Sequence, residues 1–175
     1  GGRLALYLAL QFPDRFPKVV LESASPGLKT EAERLARKQH DARLADRLKS
    51  NFSAFLADWY EQPLFQPLKQ HPNFEQLIQQ RLQNRPSALA KSLRYLGTGE
   101  QPSLWNRLKT YQNSLLLLVG ECDRKFVSIN QEMVNDCKAA QLRIVLNAGH
   151  NIHAEDPQFF ASCVRRFLQD FREAS

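Results

Sequence analysis

Asp123 and His150 are the two side chains of this sequence best placed to move protons. Each follows an apolar run and a loop: residues 115–120 (Leu-Leu-Leu-Leu-Val-Gly) precede Asp123, and residues 144–149 (Ile-Val-Leu-Asn-Ala-Gly) precede His150. If both runs are parallel strands, their loops lie at one sheet edge, where open α/β sheets place their ligands. A carboxylate orients an imidazole and stabilises its protonated form. The pattern therefore predicts the acid and base of a Ser-His-Asp triad, in the chain order Ser, Asp, His.

Three neighbouring side chains leave alternatives open. Glu121 precedes Asp123 by two residues and could replace it, although only one of them can face the histidine. His153 shares the loop of His150 and is favoured as a packing residue at the start of a helix. Cys122 is disfavoured as a nucleophile, because it precedes the acid–base pair rather than facing it.

The nucleophile of such a triad sits in a sharp turn between a strand and a helix. Gly1-Gly2-Arg3 opens the sequence and is typical of the end of that turn running into its helix. We therefore expect the serine two residues before Gly1, in a Gly-x-Ser-x segment that follows an apolar strand. On this interpretation the chain is the C-terminal part of an enzyme, and the 175 residues alone are predicted to be inactive.

Two cations occupy unfavourable positions in predicted helices. Arg3 lies in a first helical turn, where a positive charge opposes the helix dipole, and Arg81 falls among the apolar positions of a stripe that starts at Phe74. A bound anion or carboxylate would offset both placements. The alternatives are that Arg3 turns to solvent and that Arg81 extends its head group past an apolar face.

A third helix brings further candidates. Arg34, Arg37 and Asp41 share one face at spacings of three and four residues, which suits either an anion site or a simple Arg37–Asp41 pair. Trp59 and Tyr60 belong to the apolar side of the next helix, as core residues or as rings that contact a substrate.

The elements that must position these residues are those of an α/β fold. The patterns predict a helix over 4–12 and a strand over 18–22 before a long helical stretch, and strands over 115–119 and 142–146 with a helix over 129–140 after it. Asp156 and Pro157 supply the N-cap and the first residue of a last helix through Phe171. An apolar stripe of that helix is expected to face the core: Phe159, Phe160, Cys163, Val164 and Phe167. The long helical stretch opens with the capping box Thr30-Glu-Ala-Glu33. We expect core segments 1–28 and 110–175, a mostly parallel sheet flanked by helices, and a helical lid over 29–109.

Composition limits the class of protein. The 175 residues are 43% apolar, enough for one domain with a core, and no apolar run has the length of a membrane span. The net charge of +6 comes from basic residues interleaved with acidic ones, which does not favour a nucleic-acid site. Three cysteines without paired spacing indicate neither disulfides nor a zinc site, so a cytoplasmic protein is expected. The oligomeric state is left open.

Several longer motifs accompany the two loops that carry Asp123 and His150, which we call the acid loop (residues 121–123) and the base loop (residues 146–153). They are Gly1-Gly-Arg3, Leu21-Glu-Ser-Ala-Ser-Pro-Gly27, Glu33-Arg-Leu-Ala-Arg37, Asp58-Trp-Tyr-Glu-Gln-Pro63, Gly97-Thr-Gly-Glu-Gln-Pro-Ser-Leu-Trp105, Gly120-Glu-Cys-Asp-Arg-Lys-Phe126 and Ala148-Gly-His-Asn-Ile-His153. With them, essentially the whole chain resembles the 2-succinyl-6-hydroxy-2,4-cyclohexadiene-1-carboxylate synthases of the menaquinone and phylloquinone pathways, which are α/β-hydrolase-fold lyases.

The resemblance implies a reaction and a set of substrate contacts. Pyruvate would be eliminated from an enolpyruvyl cyclohexene substrate with several carboxylates, without a metal or organic cofactor, by a serine alkoxide primed by His150 and Asp123. The family arginines match Arg3, Arg81 and a lid-helix arginine, with Arg37 preferred to Arg34. The family aromatics match Trp59 and Tyr60.

Two other functions remain open at this point. An esterase or C–C hydrolase would use the same triad with serine as nucleophile, and it would not need three cations around its substrate. A non-catalytic α/β remnant would need neither Asp123 nor His150, so their retention in matching loops counts against it.

Overall fold

The computed structural model describes residues 1–169 and divides them into two units. The first unit holds residues 1–26, 63–68 and those from Trp105 onward, and the second holds Gly27–Gln62 and Lys69–Leu104. Elements of the first unit are α1 (Gly2–Gln11), β1 (Lys18–Glu22), most of α4 (Gln66–Lys69), α7 (Trp105–Leu108), β2 (Ser114–Gly120), α8 (Arg124–Asp136), β3 (Ala140–Val145), α9 (Ile152–Glu155) and α10 (Pro157–Gln169). Those of the second unit are α2 (Glu31–Ser50), α3 (Phe52–Tyr60), α5 (Phe74–Leu82) and α6 (Pro86–Leu96).

The sheet of the first unit is parallel, and within the described residues its strand order is β1-β2-β3. Leu21 pairs in register with Leu117, which pairs in turn with Leu142. The central strand β2 is buried from Leu115 to Gly120, as expected for a continuous apolar run between two parallel neighbours. These features confirm the predicted α/β class.

Helices cover this sheet through their apolar faces. Leu116 and Leu118 of β2 form one cluster with Cys163 and Phe167 of α10, and α8 contacts β2 and β3. In α1, Leu6 is fully buried whereas Leu4 is 63% exposed. Only one face of α1 is therefore buried within the described part of the chain, although its sequence is apolar almost all round.

Four predicted boundaries in the C-terminal part are wrong, two of α8 and two of β3. Helix α8 starts at Arg124, directly after Asp123, rather than at residue 129. It ends at Asp136 rather than at residue 140. Strand β3 runs from Ala140 to Val145 rather than over 142–146, and Leu146 after it is 71% exposed. Asp156 caps α10 by accepting a hydrogen bond from the Phe159 N–H at 3.0 Å, as predicted.

The predicted apolar stripe of α10 is only partly right. Cys163 and Phe167 are buried and Phe160 and Val164 pack beside them, but Phe159 is exposed. Phe171, the predicted end of this helix, lies outside the described residues.

In the second unit, local sequence signals explain the helix starts. The capping box predicted at Thr30 is present: the Thr30 hydroxyl accepts from the Glu33 N–H, and the Glu33 carboxylate accepts from the Thr30 N–H at 2.8 Å. Asn51 caps α3 through its side-chain oxygen, which accepts a hydrogen bond from the Ala54 N–H at 3.0 Å. The buried faces of α2, α3 and α6 form one cluster, made of Leu44, Ala45, Leu48, Phe55 and Ala90. Across residues 1–169, none of the helices combines the length and apolarity that crossing a bilayer requires.

Candidate active site

The acid loop follows strand β2. β2 ends at Gly120, and the chain turns so that the Asp123 N–H donates to the Gly120 carbonyl at 3.0 Å. Asp123 then occupies the N-cap position of α8, but its carboxylate does not cap that helix. Only 2% of the Asp123 side chain is exposed. A buried carboxylate that is not used to cap a helix needs another partner.

The base loop follows strand β3 and supplies that partner. Asn147, in the left-handed region at φ 57°, turns the chain after β3, and the Glu121 carboxylate accepts the Asn147 N–H at 3.1 Å. The loop then delivers His150, whose Nδ1 lies 2.6 Å from Oδ2 of Asp123. Glu121 is thus engaged with the backbone of this loop, and Asp123 is the carboxylate on the histidine.

Main-chain contacts fasten the two loops to each other. The Glu121 N–H donates to the Val145 carbonyl and the Cys122 N–H donates to the Ala148 carbonyl, each at 2.9 Å. At Gly120 the approach is so close that a Cβ atom would collide with the carbonyls of Ala148 and Gly149. Glycine is therefore required at the end of β2 for the two loops to meet.

The pair has the arrangement needed for proton transfer. Asp123 is buried, and its carboxylate can accept a hydrogen bond from Nδ1–H of His150. The His150 side chain is 26% exposed, so the ring also remains accessible to solvent. This contact favours the tautomer in which Nε2 accepts a proton. Two aromatic rings meet the imidazole edge to face, with centroids at 4.8 Å for Phe126 and 6.1 Å for Phe65. They limit the orientations open to the ring.

The other predicted site residues are divided between the two units. Arg3 is half-buried and lies on α1 in the first unit. Asp123 and His150 belong to the same unit. Arg37, Arg81, Trp59 and Tyr60 lie in the second unit.

Arg37 of the second unit is bound to a buried carboxylate of its own helix. Its Nε donates to Oδ1 of Asp41 at 2.8 Å, and Asp41 is 2% exposed. The other oxygen, Oδ2, has no hydrogen-bond partner and lies against the backbone of Gly97, where a Cβ atom would collide with it. The predicted Arg37–Asp41 pair is present. Since it uses only Nε, both terminal nitrogens of the guanidinium remain for other acceptors.

The remaining predicted residues differ in exposure. Arg81 is exposed in the last turn of α5. The Trp59 ring stacks on Phe55 at 5.7 Å, and the buried Tyr60 meets Phe74 edge to face at 5.6 Å. Both aromatic residues therefore have packing partners, and Trp59 also lines a cavity of about 200 Å³ with Arg47 and Asp58.

A family profile described as alpha/beta hydrolase fold matches residues 1–157 of this chain. The chain belongs to the α/β-hydrolase fold family. Its strand order, and the acid and base loops at the carboxyl ends of β2 and β3, agree with that membership.

Several relatives of this α/β-hydrolase chain carry one name, 2-succinyl-6-hydroxy-2,4-cyclohexadiene-1-carboxylate synthase. The protein of that name from Serratia proteamaculans (strain 568) is 38% identical over 170 residues, 96% of this chain and 64% of its own length. The protein from Enterobacter sp. (strain 638) is 35% identical over 174 residues, 97% of this chain and 64% of its own length. This finding confirms the resemblance stated from the sequence, over a chain that spans less than two thirds of these relatives.

Solved structures show the same likeness. MenH from S. aureus superposes with a TM-score of 0.92 at 39% identity, over 97% of this chain and 65% of that one. A thermophilic esterase from Thermogutta terrifontis matches with a TM-score of 0.79 at 21% identity, over 97% of this chain and 61% of its own. The second likeness shows the α/β-hydrolase fold alone.

Two carboxylates of the first unit bind the base loop, and neither contact was predicted from the sequence. Glu22, at the end of β1, accepts hydrogen bonds from both the backbone N–H and Nδ1 of His153, at 2.9 and 2.7 Å. His153 is expected to be a packing residue at the start of a helix. It lies in α9 and its ring meets Phe160 edge to face at 6.1 Å, and the same ring also binds this carboxylate. Glu155 accepts from the backbone on both sides of His150. Neither contact has a signature in residue spacing, because both depend on how the loop folds back.

Proposed function

We propose that the protein containing this chain is a lyase of menaquinone or phylloquinone biosynthesis. It would eliminate pyruvate from 2-succinyl-5-enolpyruvyl-6-hydroxy-3-cyclohexene-1-carboxylate and give 2-succinyl-6-hydroxy-2,4-cyclohexadiene-1-carboxylate. The observation that carries the proposal is the hydrogen bond of 2.6 Å between His150 and Asp123. It supplies an oriented base in a chain whose relatives at 35% and 38% identity bear the name of this synthase.

In the proposed mechanism the base on the substrate is the alkoxide of the serine expected before Gly1. Nε2 of His150 takes the serine proton, and Asp123 stabilises the imidazolium that results. The alkoxide removes the proton from ring carbon C2, and the electron pair of that C–H bond forms the C2–C3 double bond. The pair of the existing C3–C4 double bond moves to C4–C5, and the bond between C5 and the enolpyruvyl oxygen breaks. The departing enolate takes a proton from His150 on its methylene carbon to become pyruvate.

Recognition of the substrate would depend on its carboxylates. Arg37 suits this role because the buried Asp41 fixes its guanidinium through Nε and leaves the terminal nitrogens for a bidentate contact. Arg3 and Arg81 are the further cations of the proposal, and Trp59 and Tyr60 are its ring contacts. A cytoplasmic location is part of the same proposal, since Cys122, Cys137 and Cys163 are all unpaired thiols.

The deciding experiment follows two reactions of the full-length protein: release of pyruvate from the enolpyruvyl substrate, and hydrolysis of a neutral aryl ester. Arg37→Ala removes a charge-assisted contact of about 1.5–3 kcal/mol, so kcat/KM for pyruvate release should fall about tenfold to a hundredfold. Arg37→Lys should restore only part of it, because bidentate geometry is lost.

The control is Arg43→Ala, which removes an exposed arginine from the same helix. It should leave both reactions unchanged. Absence of pyruvate release by the parent protein would end the lyase proposal. Strong ester hydrolysis with the same kcat/KM in the parent and in Arg37→Ala would favour an esterase in its place.

A further inference from the structure

The backbone on both sides of His150 is held by a single carboxylate. The Gly149 N–H donates to Oε2 of Glu155, and the Asn151 N–H donates to Oε1 of the same side chain at 3.2 Å. Between them, the N–H of His150 itself donates to the Leu64 carbonyl at 3.3 Å. Three consecutive amide groups around the base therefore have defined acceptors.

This arrangement comes from the short helix α9. Glu155 is its last residue, five positions after His150, and the partly buried side chain reaches back across the loop. Hydrogen bonds from backbone N–H groups to a carboxylate are charge-assisted and stronger than neutral ones. A loop held in this way has less freedom than one whose amides are bound to water.

We propose that Glu155 is a positioning residue for His150. By fixing the main chain immediately before and after the histidine, it places Nδ1 at 2.6 Å from Oδ2 of Asp123. This contact is sensitive to small displacements, since a shift of about 1 Å would take it outside hydrogen-bond distance. The catalytic part of the proposal rests on the proposed function, whereas the placement of the imidazole does not.

The geometry also predicts how two substitutions at Glu155 change its contacts with the base loop. Both oxygens of Glu155 accept a backbone N–H, so a glutamine can satisfy only one of them and turns its own NH₂ group toward the other donor. Glu155→Gln keeps the volume of the side chain and removes half of the contact. Glu155→Ala removes all of it.

Asp156 provides a matched control at the next position. Its carboxylate also accepts a backbone N–H, that of Phe159 at 3.0 Å, but this contact starts α10 and does not touch the base loop. Asp156→Ala should therefore lower the melting temperature by removing a helix cap, without a change in the position of His150.

The test uses the full-length protein and two measurements. The first is the low-field proton resonance of the His150 Nδ1–H, assigned by its absence in His150→Gln. The second is kcat and KM for pyruvate release. In Glu155→Ala the resonance should be lost or strongly shifted and kcat should fall about tenfold to a hundredfold with little change in KM, because a misplaced catalytic group lowers turnover.

The loss of kcat in Glu155→Gln should be smaller than that in Glu155→Ala. Asp156→Ala should keep both the resonance and the kcat of the parent. An unchanged resonance in Glu155→Gln, or equal losses of kcat in Glu155→Ala and Asp156→Ala, would overturn the proposal. If Glu155→Ala does not fold, the glutamine variant decides. If the parent releases no pyruvate, the proposed function fails, and the resonance alone still decides whether Glu155 positions the imidazole.

Discussion

Replacing Asp123 by asparagine tests the acid–base pair directly. The side chain keeps its shape in a site that is 2% exposed, so the fold should persist while the negative charge beside His150 disappears. At an effective dielectric constant of about 20, unit charges about 4 Å apart attract by about 4 kcal/mol, which corresponds to about a thousandfold in rate. The amide also favours the wrong tautomer of the imidazole, and in a serine protease the same change lowers kcat by about 10⁴.

The assay is kcat for pyruvate release in the full-length protein, beside a thermal melt that reports the fold. We expect Asp123→Asn to lose about three to four orders of magnitude in kcat with a melting temperature close to that of the parent. The control is Glu121→Gln, because Glu121 accepts only the Asn147 N–H from the base loop. Near-normal turnover in Asp123→Asn, or an equal loss in Glu121→Gln, would refute the assignment of the acid to Asp123.

Three further predictions concern other parts of the chain. Gly120→Ala should lower both the melting temperature and kcat, because its Cβ atom meets carbonyls of the base loop and the loops must separate. Under native conditions an alkylating reagent should modify the exposed Cys122 well before Cys137, whose thiol pKa is raised by burial; mass spectrometry with and without denaturant checks this. Hydrogen bonds from Thr30 lower the pKa of Glu33, so Glu33→Gln should destabilise the protein at neutral pH. The difference in melting temperature between the parent and this variant should vanish as the pH falls through that lowered pKa, which thermal melts at a series of pH values would show.

The sequence was sufficient to predict that the acid and base loops meet. The apolar runs before Asp123 and His150 are strands of one parallel sheet, and consecutive parallel strands bring their carboxyl ends to one edge. Cap signals at Thr30 and Asp156 likewise located helix starts, because a cap acts over three residues and is independent of tertiary packing.

Features that depend on tertiary packing were not predictable in the same way. Apolar periodicity placed the start of α8 five residues late: Arg124 and Lys125 give no apolar signal, and Phe126, which follows them, packs on the ring of His150. The contacts of Glu155 and of Glu22 with the base loop depend on the path of the chain after His150. No pattern of residue types along the sequence encodes that path.

The main-chain fastening of the two loops has a consequence for how this chemistry can be inherited. Strand β2, helix α8, strand β3 and the base loop form one continuous βαβ segment, and its own backbone brings Asp123 and His150 together. This segment does not act alone, because the His150 N–H also donates to the Leu64 carbonyl and His153 binds Glu22 of β1. Recombination or split-gene engineering should therefore preserve the pair only if it keeps residues 63–68 and β1 together with this segment.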